Sequence, residues 1–216
     1  MTQRDLTIMS SVDVRHVLDA MHAMWPDPGC FLTYTTDFSL LVAVMLSAQC
    51  TDNAVNRIMP DLIMHADTPE KMVALGIDGV KPLIQTIGLF HRKAQYSVAC
   101  AHHILDQHNG RVPSTLSELV ALPGVGRKTA NVVLNVVFGY PTIPVDTHVF
   151  RVARRLGLST GSTVNAVEHD LNRRIDMPYK QHVHAWLIMH GRTYCHARRP
   201  NCSACPVAQY CMNKPD

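Results

Sequence analysis

A lysine directly after a glycine-rich turn is the first residue of this sequence that could carry out chemistry. Lys128 lies within the segment 122–130, in which Gly124 and Gly126 follow a proline. In the first turn of a helix, a lysine faces the positive end of the helix dipole, which favours its neutral amine. A neutral amine can attack an electrophilic carbon and form a Schiff base. The spacing does not exclude the alternative, an exposed lysine that contacts a phosphate.

The turn before Lys128 has the properties of an anion-binding site. Two glycines two positions apart let the backbone turn tightly and approach another molecule closely. The N–H groups of the turn and of the next helical turn point outward and favour an anion such as phosphate. The glycine spacing differs from that of the nucleotide P-loop. For a bare Gly-x-Gly, an ordinary turn between two helices would be the better interpretation.

Asp146 is the second candidate for chemistry. It stands where a helix is expected to begin, so its carboxylate could cap that helix. The same carboxylate could also be catalytic, and the two roles are compatible. The following helix is predicted to bury one apolar stripe and to carry His148, Arg151 and Arg155 on another side. These three side chains would form a basic face.

A cysteine cluster near the C-terminus predicts a metal centre. Four of the seven cysteines follow the spacing C-x6-C-x2-C-x5-C; they are Cys195, Cys202, Cys205 and Cys211. In a reducing compartment, four thiolates this close together favour a metal or an iron–sulfur cluster over two disulfides. Zinc and [4Fe–4S] both accept four thiolates, so the number of ligands leaves both open. Arg198 and Arg199 lie in the first loop and could contact phosphate. The isolated Cys30, Cys50 and Cys100 are expected to pack in the interior.

Apolar residues recur at helical spacing along the whole chain, which predicts an all-α protein. Residues 87–93 are expected to form a loop with apolar side chains beside two positive charges. The loop could wedge into DNA, but its spacing favours a turn with Ile87 and Leu89 packed inward. The predicted helices cover about 14–24, 38–47, 93–107, 164–175 and 182–190, and a short helix is predicted at 82–86. One further helix begins after Thr51 or Asp52, and another runs from Thr68 to Gly76. Two more flank the hairpin, and one begins at Asp146.

Composition sets wide limits on function. The chain has 216 residues, of which 47% are hydrophobic and 17% charged, enough for one large domain or two small ones. A formal charge of +3 does not by itself indicate a nucleic-acid partner. The longest apolar run, residues 40–46, is too short to span a membrane. The first five residues do not resemble a signal peptide. These features predict a cytoplasmic protein.

In its hairpin, its candidate aspartate and its cysteine cluster, the chain resembles the endonuclease III family of bifunctional DNA glycosylases and abasic-site (AP) lyases. The resemblance covers most of the chain, and the cysteine spacing is met residue for residue, which favours [4Fe–4S] over zinc. Its anchors are Leu46, Ser47, Ala48 and Gln49 with Thr51 and Asp52; residues 122–135; Val145, Asp146, Thr147 and His148 with Arg151 and Val152; and His190, Gly191 and Arg192 before the four cysteines.

The resemblance implies a two-lobed, all-α helix-hairpin-helix glycosylase fold with a C-terminal [4Fe–4S] cluster loop. A six-helix barrel domain would cover residues 30–140, with the helix-hairpin-helix at about 115–138. Residues 1–29 and 141–216 would together form the iron–sulfur cluster domain. The protein would act as a monomer associated with the nucleoid.

The implied activity is base excision repair. The enzyme would remove oxidised pyrimidines from double-stranded DNA and cleave the strand at abasic sites by β-elimination. Lys128 would be the Schiff-base nucleophile and Asp146 its catalytic partner. Gln49 would fill the gap left by the flipped nucleotide, and Leu89 would wedge against the opposite strand. The remaining implied DNA contacts are Gly124, Gly126, His148, Arg151, Arg198 and Arg199.

Three other functions fit part of the sequence. A zinc-ribbon interaction protein would use the four cysteines to bind zinc; it would be colourless when purified, whereas an iron–sulfur protein is brown. An adenine-mismatch glycosylase of the same superfamily would share the hairpin, the aspartate and the cluster. It lacks a lysine at the position of Lys128 and usually carries a further C-terminal domain. A non-catalytic module that binds damaged DNA would use the hairpin and the metal loop only for phosphate contacts. The presence of both Lys128 and Asp146 argues against this module.

Overall fold

A computed structural model describes residues 6–214. Within this range the chain forms ten α-helices and one short 3-10 helix and contains no β-strand, so the all-α prediction is confirmed. In chain order the helices are α1 Ser11–Met24, α2 Asp37–Leu46, α3 Asp52–Ala66, α4 Pro69–Ile84, α5 Phe90–His108, α6 Leu116–Ala121, α7 Arg127–Val136, α8 Thr147–Leu156, α9 Val164–Arg174 and α10 Met177–Thr193, followed by the 3-10 helix Ala208–Tyr210.

The chain divides into two compact units. The first is Cys30–Gly139 and contains helices α2 to α7. The second consists of the described parts of Met1–Gly29 and Tyr140–Asp216. Within residues 6–214, no helix has both the length and the apolar character that crossing a membrane requires.

Helix α2 lies at the centre of the first unit. Its residues 38–46 are all buried, which explains why the sequence reads there as a continuous apolar run. Thr36 caps the helix, and Ser39 completes the capping box. The apolar faces of α3, α5 and α7 pack against α2, and those of α4 and α6 complete the same core.

Helix α4 matches its prediction at Gly76 but differs from it beyond that residue. Gly76 has a φ of +68°, so it interrupts the helical geometry, but the chain resumes the helix and continues to Ile84. A separate helix over 82–86 was therefore the wrong prediction. Pro82 lies inside α4, where it removes one backbone hydrogen bond without ending the helix.

Helix α5 also begins earlier than predicted, at Phe90, so Phe90, His91 and Arg92 are helical and not part of a loop. Its N-cap, Leu89, has the left-handed conformation. Ile87 is 3% exposed, whereas Leu89 is 56% exposed. Inward packing was thus the correct prediction for Ile87 and the wrong one for Leu89.

In the second unit, α10 packs against both α8 and α1, and α9 packs against α8. Helix α10 begins at Met177, five residues before its predicted start. Trp186 of α10 is buried, and its indole N–H donates to the carbonyl of Trp25 at 2.8 Å. A Cβ at Gly191 would lie 2.9 Å from Nη2 of Arg151, so this glycine allows α10 to approach α8 closely.

Candidate functional site

The hairpin lies between two well-defined helices of the first unit. Thr115 caps α6 by accepting a hydrogen bond from the N–H of Glu118 at 3.3 Å, as the sequence predicts. Leu122 and Val125 are buried and anchor the turn in the core. The N–H of Val125 donates to the carbonyl of Leu122 at 3.1 Å. The backbone between them is therefore held in one tight conformation.

The two hairpin glycines have different structural roles. Gly124 has a φ of +78°, and a Cβ there would lie 2.7 Å from Cβ of Tyr96 and 3.0 Å from Cε of Met45. The fold itself therefore requires a glycine at this position. Gly126 has a φ of −92°, and a Cβ there would meet no described atom within 4 Å. Its missing side chain leaves open space in which a ligand can approach the backbone.

Gly126 is also the N-cap of α7. Because a glycine has no side chain, it supplies no cap hydrogen bond to the first N–H groups of the helix. Lys128 lies in this first turn and is exposed. The structure thus places an amine beside the open end of a helix, as the sequence predicts.

A groove of about 200 Å³ lies beside the hairpin within the first unit. Gln49 and Leu89 both line it, and both are exposed residues with φ values of +56° and +61°. Positive φ is unfavourable for residues with side chains, and such strain is typical of functional sites. The lining residues are Met45, Ala48, Gln49, Leu89, Arg92, Lys93, Tyr96 and Gly124. The structure therefore brings the two residues implied to enter DNA to one groove, together with the hairpin.

Arg92, Lys93 and Tyr96 also line the groove. The sequence indicates Arg92 and Lys93 as positive charges beside a possible DNA wedge, but it does not indicate Tyr96 or the pairing of Arg92 with Tyr96. Nη2 of Arg92 donates to the hydroxyl of Tyr96 at 3.1 Å, and the guanidinium lies 5.4 Å from the ring centroid. The four-residue spacing of this pair is a helical signal. It was missed because residues 90–92 were assigned to a loop.

Asp146 is the N-cap of α8 in the second unit. Its Oδ1 accepts hydrogen bonds from the N–H groups of His148 and Val149, both at 2.8 Å. Its Oδ2 lies 3.5 Å from Nδ1 of His148, and its side chain is 17% exposed. The capping role is therefore confirmed. The catalytic role of Asp146 and the DNA contact of His148 stay predictions.

The arginines of the predicted basic face bind the cysteine loop instead of facing outward. Arg151 donates from Nε to the carbonyl of Cys195 and from Nη2 to that of Gly191, both at 3.0 Å. Arg155 donates to the carbonyls of His196 and Ala197, at 2.6 and 2.8 Å. These bonds hold the start of the loop against α8. A DNA contact by Arg151 stays a prediction, while Arg198 and Arg199 are exposed on the same loop.

The four clustered cysteines line one cavity in the second unit. Four cysteine thiolates are the ligand set of a [4Fe–4S] cluster and also of a structural zinc ion. The residues that line this cavity therefore fit a [4Fe–4S] cluster.

The surroundings of the thiols fit the same group. Burial raises the pKa of Cys205 and of Cys211, so their thiolates require a nearby positive charge, which iron supplies. Nη1 of Arg155 donates to Sγ of Cys195 at 3.5 Å. His190 has its Nε2 3.6 Å from Sγ of Cys205, and burial lowers the pKa of His190 to about 4. Its ring is therefore neutral at physiological pH.

Comparison with protein families defines the class of this protein. The family model described as HhH-GPD superfamily base excision DNA repair protein matches residues 42–177, more than half of the chain. The model described as iron-sulfur binding domain of endonuclease III matches residues 195–211, from the first clustered cysteine to the last. The chain is thus a helix-hairpin-helix DNA glycosylase of base excision repair with a [4Fe–4S] cluster.

Individual relatives define the family more closely. Endonuclease III of Rickettsia conorii is 50% identical over 186 residues, which cover 86% of this chain and 89% of the relative. Endonuclease III of Escherichia coli K12 is 48% identical over 189 residues, 88% of this chain and 90% of the relative. The chain belongs to the endonuclease III family of DNA glycosylases and AP lyases.

Solved structures agree with this assignment. A trapped covalent intermediate of endonuclease III with DNA, an estranged-adenine complex, superimposes with a TM-score of 0.89 at 40% identity. The match covers 94% of this chain and 96% of that chain. A non-covalent endonuclease III–DNA complex matches with the same score and coverage. A thermostable thymine-DNA glycosylase, at 20% identity and a TM-score of 0.82, shares the fold.

Proposed function

We propose that this glycosylase removes oxidised pyrimidines from double-stranded DNA, cleaves abasic sites through Lys128, and acts as a monomer on the nucleoid. The observation that carries the proposal is the exposed amine of Lys128 in the first turn of α7, directly after a hairpin whose Gly126 is open to a ligand. A phosphate bound at this helix end would hold the sugar backbone beside the amine. The trapped covalent complex of a relative supports the same chemistry.

The proposed reaction begins with base flipping. A base inside the duplex is out of reach, and a damaged base costs less to unstack than a normal one. The amine of Lys128 attacks C1′ of the sugar; the bond to the base breaks and a covalent imine forms. The imine acidifies the proton at C2′, and loss of that proton breaks the strand on the 3′ side.

Asp146 is proposed as the catalytic partner of Lys128. An ionised carboxylate stabilises positive charge that develops in the transition state, and it can help transfer the lysine proton. The hydrogen bonds that Oδ1 accepts from α8 stabilise the ionised form and fix its direction. The capping hydrogen bonds therefore hold the carboxylate in place.

The groove of the first unit is proposed to receive the distorted DNA. Gln49 would fill the space of the flipped nucleotide, and Leu89 would wedge between bases of the opposite strand. Their exposed side chains and strained backbones support these roles. Gly124 and Gly126 would admit a phosphate, and His148, Arg151, Arg198 and Arg199 would contact the DNA backbone.

The cluster is proposed to have a structural role. Cys195, Cys202, Cys205 and Cys211 would hold it, and when bound it fixes a loop that displays Arg198 and Arg199. Residues 1–29 with 141–216 would form this cluster domain, and residues 30–140 the barrel domain with the hairpin.

Base release from defined duplexes tests the proposal. Oligonucleotides that carry dihydrouracil or thymine glycol at one position should lose that base and be cut on its 3′ side, while an undamaged duplex stays intact. A duplex with adenine opposite 8-oxoguanine serves as the comparison. Release of that adenine, with no action on oxidised pyrimidines, would show that the enzyme is an adenine-mismatch glycosylase.

A further inference from the structure

A lysine that lines the groove of the first unit contacts a cysteine outside the cluster. Nζ of Lys93 donates a hydrogen bond to Sγ of Cys50 at 3.0 Å. Lys93 is 7% exposed, whereas Cys50 is only partly buried. Within residues 6–214 no carboxylate pairs with this ammonium. A buried ammonium normally has an anionic partner, so the sulfur occupies the position at which a carboxylate would be expected.

The contact joins the two segments that carry the proposed DNA-entering residues. Cys50 directly follows Gln49, and Lys93 lies in the first turn of α5, whose N-cap is Leu89. Gln49 and Leu89 both have positive φ values, which strain the backbone of each segment. A bond between Cys50 and Lys93 would therefore link the segment that carries Gln49 to the segment that carries Leu89.

The position of Cys50 allows a peroxide to reach it. Lys93 lines the groove and Cys50 is partly exposed, so a molecule as small as a peroxide can approach the pair. Once the sulfur is oxidised, Nζ of Lys93 lies within bonding reach of it. Burial raises the pKa of Cys30 and raises that of Cys100 to about 12, which disfavours the reactive thiolate at those two positions.

We propose that Cys50 and Lys93 form a peroxide-dependent covalent cross-link across this groove. The thiolate of Cys50 attacks hydrogen peroxide; an S–O bond forms, the O–O bond breaks, and hydroxide leaves. The sulfur loses two electrons and becomes a sulfenic acid, while the peroxide is reduced. The hydroxide takes a proton from the ammonium of Lys93 and becomes water.

The second step joins the two side chains. The neutral amine of Lys93 attacks the sulfur; an N–S bond forms, the S–O bond breaks, and the hydroxyl leaves as a second water with a proton from the nitrogen. The product is a sulfenamide, and the protein has lost two hydrogen atoms in total. A thiol reductant reverses the bond by attack on the sulfur.

The cross-link removes the charge of Lys93 from the groove. A positive charge that neutralises a DNA phosphate contributes about 0.9 to the salt slope of binding. The oxidised protein should therefore bind an abasic-site duplex more weakly, with a salt slope lower by about one. This consequence rests on the proposed function, because it assumes that the groove receives DNA. The cross-link itself does not.

Peptide mass spectrometry tests the cross-link directly. The purified holoprotein is treated with a small excess of hydrogen peroxide, its remaining thiols are alkylated, and it is digested with trypsin. We expect the peptide 16–57, which also holds Cys30, joined to a peptide that is no longer cleaved after Lys93. The joined mass should be lower by two hydrogens than the sum of the two peptides, and dithiothreitol should separate them.

Two variants serve as controls. Cys50→Ser keeps a polar group beside Lys93 and should show neither the joined peptide nor a peroxide effect on DNA affinity. Lys93→Met removes the amine and should show no joined peptide, and sulfenic acid that forms at Cys50 in this variant stays available to dimedone. In the wild type, Lys93 should be joined to Cys50 and not to Cys30, because Sγ of Cys50 lies 3.0 Å from its Nζ.

The outcomes separate this inference from the proposed function. Sulfenic acid at Cys50 in wild type without linkage to Lys93, or linkage of Lys93 to Cys30 instead, would overturn the cross-link. Failure of the untreated protein to bind abasic DNA would overturn the proposed function and leave the cross-link intact. An unchanged salt slope in the cross-linked protein would show that the bond does not act on DNA binding, which contradicts the proposed effect of the modification.

Discussion

At the scale of single residues, several positions combine a structural and a functional requirement. Asp146 caps α8 and is the proposed catalytic carboxylate. Gly124 is required by the fold, whereas nothing within the described chain fills the space beside Gly126. Substitutions that change one requirement and keep the other can therefore separate the two.

The hairpin glycines give the first prediction. Gly126→Ala should leave the melting temperature nearly unchanged, because its φ is negative and the new methyl group meets no protein atom. It should weaken binding to an abasic duplex by about 10-fold, because the methyl group stands where a phosphate approaches the backbone. Gly124→Ala should instead destabilise the fold by about 1–3 kcal/mol, through its positive φ and the contact with Tyr96.

Thermal unfolding and fluorescence-based DNA binding measure these two effects. Equal losses of stability in both variants would show that Gly126 is an ordinary turn residue. Unaltered DNA affinity in Gly126→Ala would show that no phosphate approaches this turn.

The second prediction concerns Asp146. Asn is as good an N-cap as Asp, so Asp146→Asn should change the free energy of unfolding little, while Asp146→Ala should lower it by about 1 kcal/mol. Both variants lose the carboxylate charge and should release bases at least about 100-fold more slowly. Single-turnover assays beside denaturant titrations make the comparison. Near-normal turnover in the asparagine variant would reduce the role of Asp146 to capping.

At the scale of the elements, local signals predicted the framework of the site well. The capping residues Thr115 and Asp146 and the buried stripe of α8 could all be identified from side-chain chemistry and helical periodicity. The start of α5 could not, because its N-cap is a leucine in the left-handed conformation, which has no sequence signature. That error also concealed the pairing of Arg92 with Tyr96.

The contacts of the arginines on α8 could not be predicted from the sequence, for a different reason. Periodicity shows which side of a helix is apolar, but not whether a polar side faces solvent or another segment. Arg155 lies on the polar side and binds the carbonyls of residues 196 and 197, which are about 40 positions away. Such long-range contacts depend on the tertiary fold.

These contacts lead to the third prediction. Arg198→Ala combined with Arg199→Ala should lower the salt slope of DNA binding by about two, because two exposed phosphate contacts are lost. The iron content should not change, since neither side chain is needed to hold the loop. Arg155→Ala is the matched control: it should reduce iron retention, because it removes the hydrogen bonds that fix the first cysteine and the residues after it.

Iron analysis, absorbance of the cluster and binding at several salt concentrations distinguish the two variants. A normal salt slope in the double variant would mean that these arginines do not meet phosphate. Iron loss in the double variant would mean that they support the loop rather than the DNA.

At the scale of the whole molecule, composition and periodicity were sufficient for the fold class, because helical spacing persists along the entire chain. The cysteine spacing and the hairpin were sufficient for the family, to which the chain belongs. Neither the helical periodicity nor these motifs could show that Gln49 and Leu89 line one groove, or that Cys50 contacts Lys93. Those facts depend on how α2 and α5 pack, which no local pattern records.

The central claim is that Lys128 is the nucleophile, and sodium borohydride trapping tests it most directly. Wild type and Lys128→Ala are incubated with a duplex that carries one abasic site, in the presence of borohydride. Wild type should form a stable covalent adduct whose cross-linked peptide contains Lys128. Lys128→Ala should bind the same duplex with similar affinity and form no adduct. Trapping by the variant, or the lack of an adduct with wild type despite tight binding, would contradict the account.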